Sequence, residues 1–332
     1  NESVKATATE LKRLVLRGKN TSYDSQNSTY KAEDYAFSKL KERYKKWTGN
    51  SFDDKDLISF GLVNEQGNLT NAGALLADES PIRCSRLFCT RWNGLNKSGG
   101  AVDALDDAEY SGSVISLIEN GEAFIKRNCK MKWRKTANSR EEMPEYVERS
   151  YHEALVNALA HRDYLVNGSE VHIDIYDDRT EIYSPGDPLM VPSTRRNPIL
   201  ADVFNRLGYM ERKGSGFGKI ISGYEFQINY DESKRPLFRS DRYQFTVVMP
   251  NLNYDVSHDF EENETMSESM SESMSESMSK LERTRMQIIL HYLDTNKEIN
   301  SSIAAKLLKV EIKTASRLLS KAEKLDILKS YG

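Results

Sequence analysis

Apolar residues recur at helical spacing through YVERSYHEALVNALAHRDY and predict a helix from about Val147 to His161. Glu153, Asn157, Ala160 and His161 share one face of that helix, while Leu155, Ala158 and Leu159 face elsewhere. A carboxylate and a primary amide therefore look at a common point from successive turns. KAEDYAFSKLKERYKKW (31–47) and SVISLIENGEAFIKRN (113–128) also read as amphipathic helices, the second in spite of Gly121. VHIDIYDD and RTEIYSP (171–185) alternate apolar and polar positions across a turn at Asp177 and Asp178, which is a hairpin pattern. RYQFTVVMP (242–250) is a further strand, stopped by Pro250. Helices and antiparallel strands mix without a βαβα rhythm, so the fold class expected is α+β.

Beyond residue 260 the pattern changes twice. Residues 261–280 repeat Met-Ser-Glu-Ser, with Met266, Met270, Met274 and Met278 four apart. Such composition buries too little to offset its ordering entropy and reads as an acidic linker. A helical reading instead puts the methionines on one drifting face that could pack on a partner helix. Residues 281–332 then hold three short amphipathic stretches, RTRMQIILHYLDTN, SSIAAKLLKV and KTASRLLSKAEKLD, with Ser301 and Ser302 as expected N-caps. Ile288, Ile289, Leu293, Ile303, Leu307, Leu318 and Leu319 are the expected core. Together with ILKSYG, which would begin a wing, this is the outline of a winged helix-turn-helix.

Charge sharpens that reading. The 332 residues carry a net charge of -3, so no global basic field points to nucleic acid. Residues 281–332 nevertheless hold ten Lys or Arg against six Asp or Glu, a local +4. On the last helix Lys313, Arg317, Lys321 and Lys324 recur at spacing three or four, with Thr314 and Ser316 near its start. Basic groups for phosphates and small polar ones for base edges suit a recognition helix. A solvated basic face or a protein contact fits the same pattern. Mean hydropathy is -0.64 and no apolar run or leader pattern suggests a membrane, so a soluble, cytoplasmic protein is expected. Cys84, Cys89 and Cys129 lack metal-ligand spacing and read as reduced thiols. Both ends fall in what looks like mid-element, so a longer protein is expected.

The candidate chemistry lies around the Glu153 helix. A carboxylate can orient or deprotonate a water, and an amide oxygen is a hard ligand suited to Mg²⁺. SPGDP (184–188) and KGSGFGK (213–219), with Gly214, Gly216 and Gly218, offer backbone that could approach a phosphate. The chain has neither GxGxxG nor GxxxxGK[ST], which counts against a dinucleotide fold or a Walker-type motor. Glu153 and Asn157 are equally compatible with an exposed helix face or a packing amide. His161 and Arg162 read as cations closing the helix; Arg195, Arg196 and Lys219 could touch phosphates, but basic residues in such places are more often solvated surface.

The order of Glu-x-x-x-Asn helix, hairpin, Gly turn, loop, GxGxG and final strand resembles the Bergerat ATP-binding fold of the gyrase, histidine-kinase and MutL superfamily. In it EALVNALAH stands as the N-box, YSPGD as the first Gly box and GSGFG as the second. More closely, REEMPEYVERSYHEALVNALAHRDY, RTEIYSPGDP, TRRNPILADVF and ERKGSGFGKI resemble the divergent GHKL-like "RecG-like" ATPase-domain family of bacterial regulators. LTNAGALLADESP (69–81) fits that family's upstream region, and RLVLRGKNTSYD (13–24) resembles the tail of a Schlafen-type AlbA domain.

The resemblance implies an AlbA-type tail and connecting region at 1–135, a Bergerat-like two-layer α/β sandwich at 136–255, the linker at 256–280 and a winged helix at 281–332. It implies ATP and Mg²⁺ as cofactors, Asn157 as the metal ligand and Glu153 as the water-activating base. Gly186, Gly214, Gly216 and Gly218 would shape the pocket, and residues 188–197 would be its lid. Ser184 stands where the superfamily carries an adenine-binding Asp. The expected protein is a homo-oligomeric transcriptional regulator that binds nucleotide, and DNA through Lys313, Thr314, Ser316, Arg317 and Lys321. The alternatives are a slow ATPase of nucleic-acid processing or defence, and a degenerate dimerisation scaffold; a helicase is not expected.

Overall fold

The computed structural model describes residues 6–97, 102–186, 195–211, 214–241, 243–254, 280–295, 298–308, 310–324 and 328. Residues 256–279 of the expected linker, residues 188–194 of the expected lid and most of the expected wing lie outside them. The chain divides into two compact units, Asn1–Tyr254 and Asp255–Gly332.

The first unit is built on a six-stranded mixed sheet. Its strands are β3 (Arg86–Trp92), β4 (Ala104–Ser111), β7 (Val171–Ile175), β8 (Arg179–Pro185), β9 (Leu237–Ser240) and β10 (Gln244–Pro250). They run in the order β4-β3-β7-β8-β10-β9, with only β3 and β7 parallel. The expected hairpin is β7–β8, with Ile173 opposite Ile182. Along β8, Thr180, Ile182 and Ser184 are buried, and Glu181 and Tyr183 only half-buried, as the period of two requires. On the face of Glu181 and Tyr183, His172 stacks with Phe88 and meets Tyr183 edge-on, at centroid distances of 5.3 and 5.4 Å.

The other face carries helices α5 (Val114–Arg127), α6 (Glu148–Ala160) and α8 (Gly216–Glu225), with α6 packed on both neighbours. This makes the fold α+β. Gly121 has a packing reason: a Cβ there would lie 2.6 Å from Leu155 Cδ2 and 2.9 Å from Leu87 Cδ2. Absence of a side chain lets α5 approach β3 and α6 closely. Gly121→Val is expected to destabilise the unit by about 1–3 kcal/mol through overpacking, measured by urea denaturation.

Upstream, β1 (Asn27–Lys31) pairs with β2 (Asn68–Thr70), beside α1 (Ala8–Gly18), α2 (Ser38–Thr48), α3 (Asp54–Ser59) and α4 (Asn71–Leu76). The helix expected from residue 31 starts only at Ser38, because Lys31 ends β1 and a short 3-10 turn follows. Its first free N–H groups, Ser38 and Lys39, donate to the distant Asp78 carboxylate at 2.8 and 3.0 Å. The boundary expected at 135/136 falls at the turn of a small hairpin, β5 (Met131–Lys135) with β6 (Arg140–Pro144), and the main sheet takes β3 and β4 from before it.

The second unit holds helices Lys280–Thr295, Ser301–Leu307 and Ile312–Lys324. Its buried core is Met286, Ile289, Ala304, Ala305, Ala315, Leu318 and Ala322, with Leu293 and Leu319 packed against it. Small alanines let the helices close up, and Ile303 is left 36% exposed. The cap of Ser301–Leu307 is Asn300, whose side chain accepts from Ser302 N and Ile303 N, rather than a serine.

Candidate functional site

Helix ends normally leave their last four carbonyls without partners. At the end of α6 each finds one. Asn157 O accepts from His161 N at 2.9 Å, Ala158 O from the Ser184 hydroxyl at 2.7 Å, and Leu159 O from the Tyr164 hydroxyl at 3.0 Å. Ala160 O accepts from Asn197 Nδ2 at 3.0 Å, an amide that also reaches Arg162 O at 2.9 Å. The end of α6 is thereby tied to β8 and to the residue before α7 (Pro198–Arg206). At the same end of α7, Asp24 accepts from Leu200 N at 3.0 Å.

Glu153 is buried and Asn157 half-buried on that face. Asn157 turns its NH₂ toward Glu153 Oε1 at 3.4 Å, which leaves its amide oxygen for another partner. The second Gly segment packs directly on the pair. A Cβ on Gly216 would stand 2.8 Å from Asn157 Nδ2 and 2.8 Å from Glu153 Oε1, so any side chain there must displace the pair or α8. Gly214 takes the left-handed φ of +64° that aims the chain into α8, and Gly218 faces open space. Lys219, one turn into α8 and 17% exposed at its side chain, lies 3.8 Å from Glu153 Oε2 and 3.0 Å from Glu211 Oε1. It is part of the site and not the solvated cation its sequence context suggested. Ser215 adds a buried hydroxyl with no partner among the described residues.

The first Gly segment borders the same helix end. Ser184, 6% exposed, spends its proton on Ala158 O, so its oxygen is left as an acceptor. Gly186 has φ +126° and lies against Asp163 and Arg196. Asp163 in turn takes Arg13 and, at 4.0 Å, Arg196, while Arg195 pairs with Asp202 at 3.2 Å. These arginines are held by carboxylates rather than solvated.

Two readings of AHRDY change. Arg162 is fully buried and donates to the carbonyls of Asp163, Val166 and Ser169, so it braces the following turn and does not close α6. His161 is no cation either: burial, helped by Arg196 and Arg195, pushes its pKa from 6.5 down to about 4. The unfolded ring binds a proton below pH 6.5 that the folded ring refuses until about pH 4. Stability is therefore complete above pH 6.5 and falls as pH drops from 6.5 toward 4. In His161→Gln that part of the slope of unfolding free energy against pH is expected to vanish.

A hard amide oxygen, a carboxylate, a glycine surface without side chain, an unpartnered hydroxyl and a lysine make a donor set that fits a magnesium nucleotide. In the second unit Lys313 and Arg317 are exposed, and Thr314 and Ser316 are half-buried. Lys321 pairs with Glu282 at 2.6 Å, which ties the third helix to the first.

Residues 168–249 match a protein family described as "Putative ATP-dependent DNA helicase recG C-terminal". The match takes in the hairpin, both Gly segments, α8 and the last two strands, and leaves Glu153 and Asn157 just before it. No curated protein matches the chain. Among solved structures, the DIP2311 protein from Corynebacterium diphtheriae is similar with a TM-score of 0.57 and 18% identity, over 97% of this chain and 64% of that one. This chain thus spans 64% of that protein's length, and the likeness concerns the fold. Among the described residues no helix is long and apolar enough to cross a membrane. Residues 168–249 are therefore similar to a RecG-like ATPase-type domain, set in a mixed α/β unit.

Proposed function

We propose that the first unit binds ATP with Mg²⁺ in a Bergerat-like site between α6, the end of β8 and the start of α8. The second unit, as a winged helix, binds DNA, so the chain acts as a bacterial transcriptional regulator whose DNA affinity responds to nucleotide. The observation that carries the nucleotide reading is the seat of Gly216 on both Glu153 and Asn157. Two segments some sixty residues apart converge there on one point, in the order that phosphate sites use.

In this reading Asn157 supplies the metal ligand, Gly214 and Gly216 let backbone N–H groups reach phosphate oxygens, and Lys219 and Ser215 add a cation and a hydroxyl. Mg²⁺ would neutralise charge on the bound triphosphate. Ser184 replaces a carboxylate by a hydroxyl, and its bond to Ala158 O presents an oxygen that can accept from the adenine amino group. Exposed Lys313 and Arg317 support phosphate contact in the second unit, with Thr314 and Ser316 toward base edges.

A slow ATPase is the second reading, favoured by Glu153, whose carboxylate lies beside the pocket with Lys219 as its partner. Calorimetric titration of the full chain with ATP and Mg²⁺ tests the proposal. One site per chain is expected, and absence of binding at millimolar ATP refutes it.

A further inference from the structure

Three phenylalanines form an open aromatic wall at the edge of the site. Phe217, between Gly216 and Gly218, is 50% exposed, yet its ring centroid lies 4.5 Å from that of Phe238 and 5.6 Å from that of Phe245. Phe238 and Phe245 are only half-buried themselves. An isolated exposed aromatic needs no explanation, but three in mutual contact, one of them next to Gly216, do.

Their place relative to Ser184 is fixed by register. Phe245 is the direct partner of Ser184 across the β10–β8 ladder, and Phe238 is the partner of Val247, two residues further along β10. Directly opposed residues of antiparallel strands project from the same face, as do residues two apart on one strand. Ser184, Phe245 and Phe238 therefore share the face covered by the helices. Phe217 reaches the same place from α8, one residue after the glycine that abuts Glu153 and Asn157. The wall begins where the Ser184 hydroxyl ends.

Resting on the nucleotide reading, we infer that Phe217 and Phe245 are the base-stacking residues of the site, and that the site takes purine nucleotides with less discrimination between adenine and guanine than a carboxylate at position 184 would give. Stacking on an aromatic ring is tolerant of base identity because every base has a π-face. A carboxylate at position 184 would accept from the adenine amino group and repel the guanine carbonyl. A hydroxyl can do either: it accepts as it stands, and it donates if its proton turns away from Ala158 O. That turn leaves the buried Ala158 O without its donor, which costs from about fivefold to about a hundredfold. The wall supplies affinity, and Ser184 supplies less selectivity than a carboxylate.

The test is calorimetric titration of the full chain, with Mg²⁺ present throughout, using ATP, GTP and inorganic tripolyphosphate. The proteins are wild type, Phe217→Ala and Phe245→Leu. Phe217 is half-exposed, so its variant keeps the fold even if the β10 variant is weakened. Expected are Kd values for ATP and GTP within about a hundredfold of each other, and a loss of about tenfold for both in Phe217→Ala. Tripolyphosphate, which has no base, is expected to bind the variants as it binds wild type. Unchanged ATP affinity in Phe217→Ala, or ATP preferred over GTP by more than a hundredfold, overturns the inference and leaves the nucleotide reading standing. Failure of wild type to bind ATP, GTP or tripolyphosphate overturns both.

Discussion

Arg162→Met is expected to destabilise the first unit by about 3–4 kcal/mol, among the largest effects a single substitution should produce here. The side chain is 0% exposed, and it bonds three backbone carbonyls of the 163–169 turn, with its guanidinium 4.8 Å from the centre of the Tyr164 ring. Methionine matches its volume but donates nothing, so Asp163 O, Val166 O and Ser169 O would lose these donors. Each buried carbonyl left unsatisfied costs about 1–3 kcal/mol, partly recovered where water can enter. Arg162→Lys should recover little, because one ammonium cannot span acceptors that the planar fork reaches together. Urea denaturation measures the change, and a loss below about 1 kcal/mol in the Met variant would show the turn to be braced by something else.

Gly216→Val is expected to weaken binding of ATP with Mg²⁺ at least about a hundredfold, while shifting the midpoint of thermal unfolding by only a few degrees. The φ of Gly216 is not in the left-handed region, so the backbone tolerates a side chain. The obstacle is the space that Glu153 and Asn157 occupy, 2.8 Å from where the Cβ would be. Relief requires α8 to move off α6 or the pair to turn away, and displacements near 1 Å in a positioned site cost on the order of a hundredfold. Gly218→Ala is the control, since a Cβ there meets nothing within 4 Å and should change affinity little. Equal effects of the two substitutions, read by calorimetry, would mean that glycine flexibility rather than the Gly216 contact matters.

The parts of this site that were legible in the sequence are those written in local period. The helix expected at 147–161 is α6 at Glu148–Ala160, and the hairpin is β7–β8, because both are encoded by spacing of apolar residues within a few turns. The chain order of Gly segments was equally legible. What was hidden depends on contacts across long separations. Asp78 sets the start of α2 from forty residues away, so its pattern alone extended the helix too far. Lys219 reads as surface until α8 is laid on α6, and His161 reads as a cation until burial beside Arg195 and Arg196 is seen. Asn197, before Pro198, has the look of an ordinary helix cap, yet its amide turns back to the end of α6. The aromatic wall was invisible for the same reason, since Phe238 and Phe245 come together through β9–β10 pairing and Phe217 reaches them from α8. In the second unit the basic face was readable, but the salt bridge that occupies Lys321 was not.

Thermal unfolding of the full chain with ATP, in the presence and absence of Mg²⁺, reads whether Asn157 holds a metal on a bound nucleotide, as proposed. At a hundredfold excess over Kd, binding adds about 2.7 kcal/mol of apparent stability, enough to raise the midpoint visibly. Wild type is expected to be stabilised by ATP with Mg²⁺ and much less without it, and Asn157→Ala to lose the magnesium-dependent part. No shift in wild type, or the same magnesium-dependent shift in Asn157→Ala, would contradict the proposal.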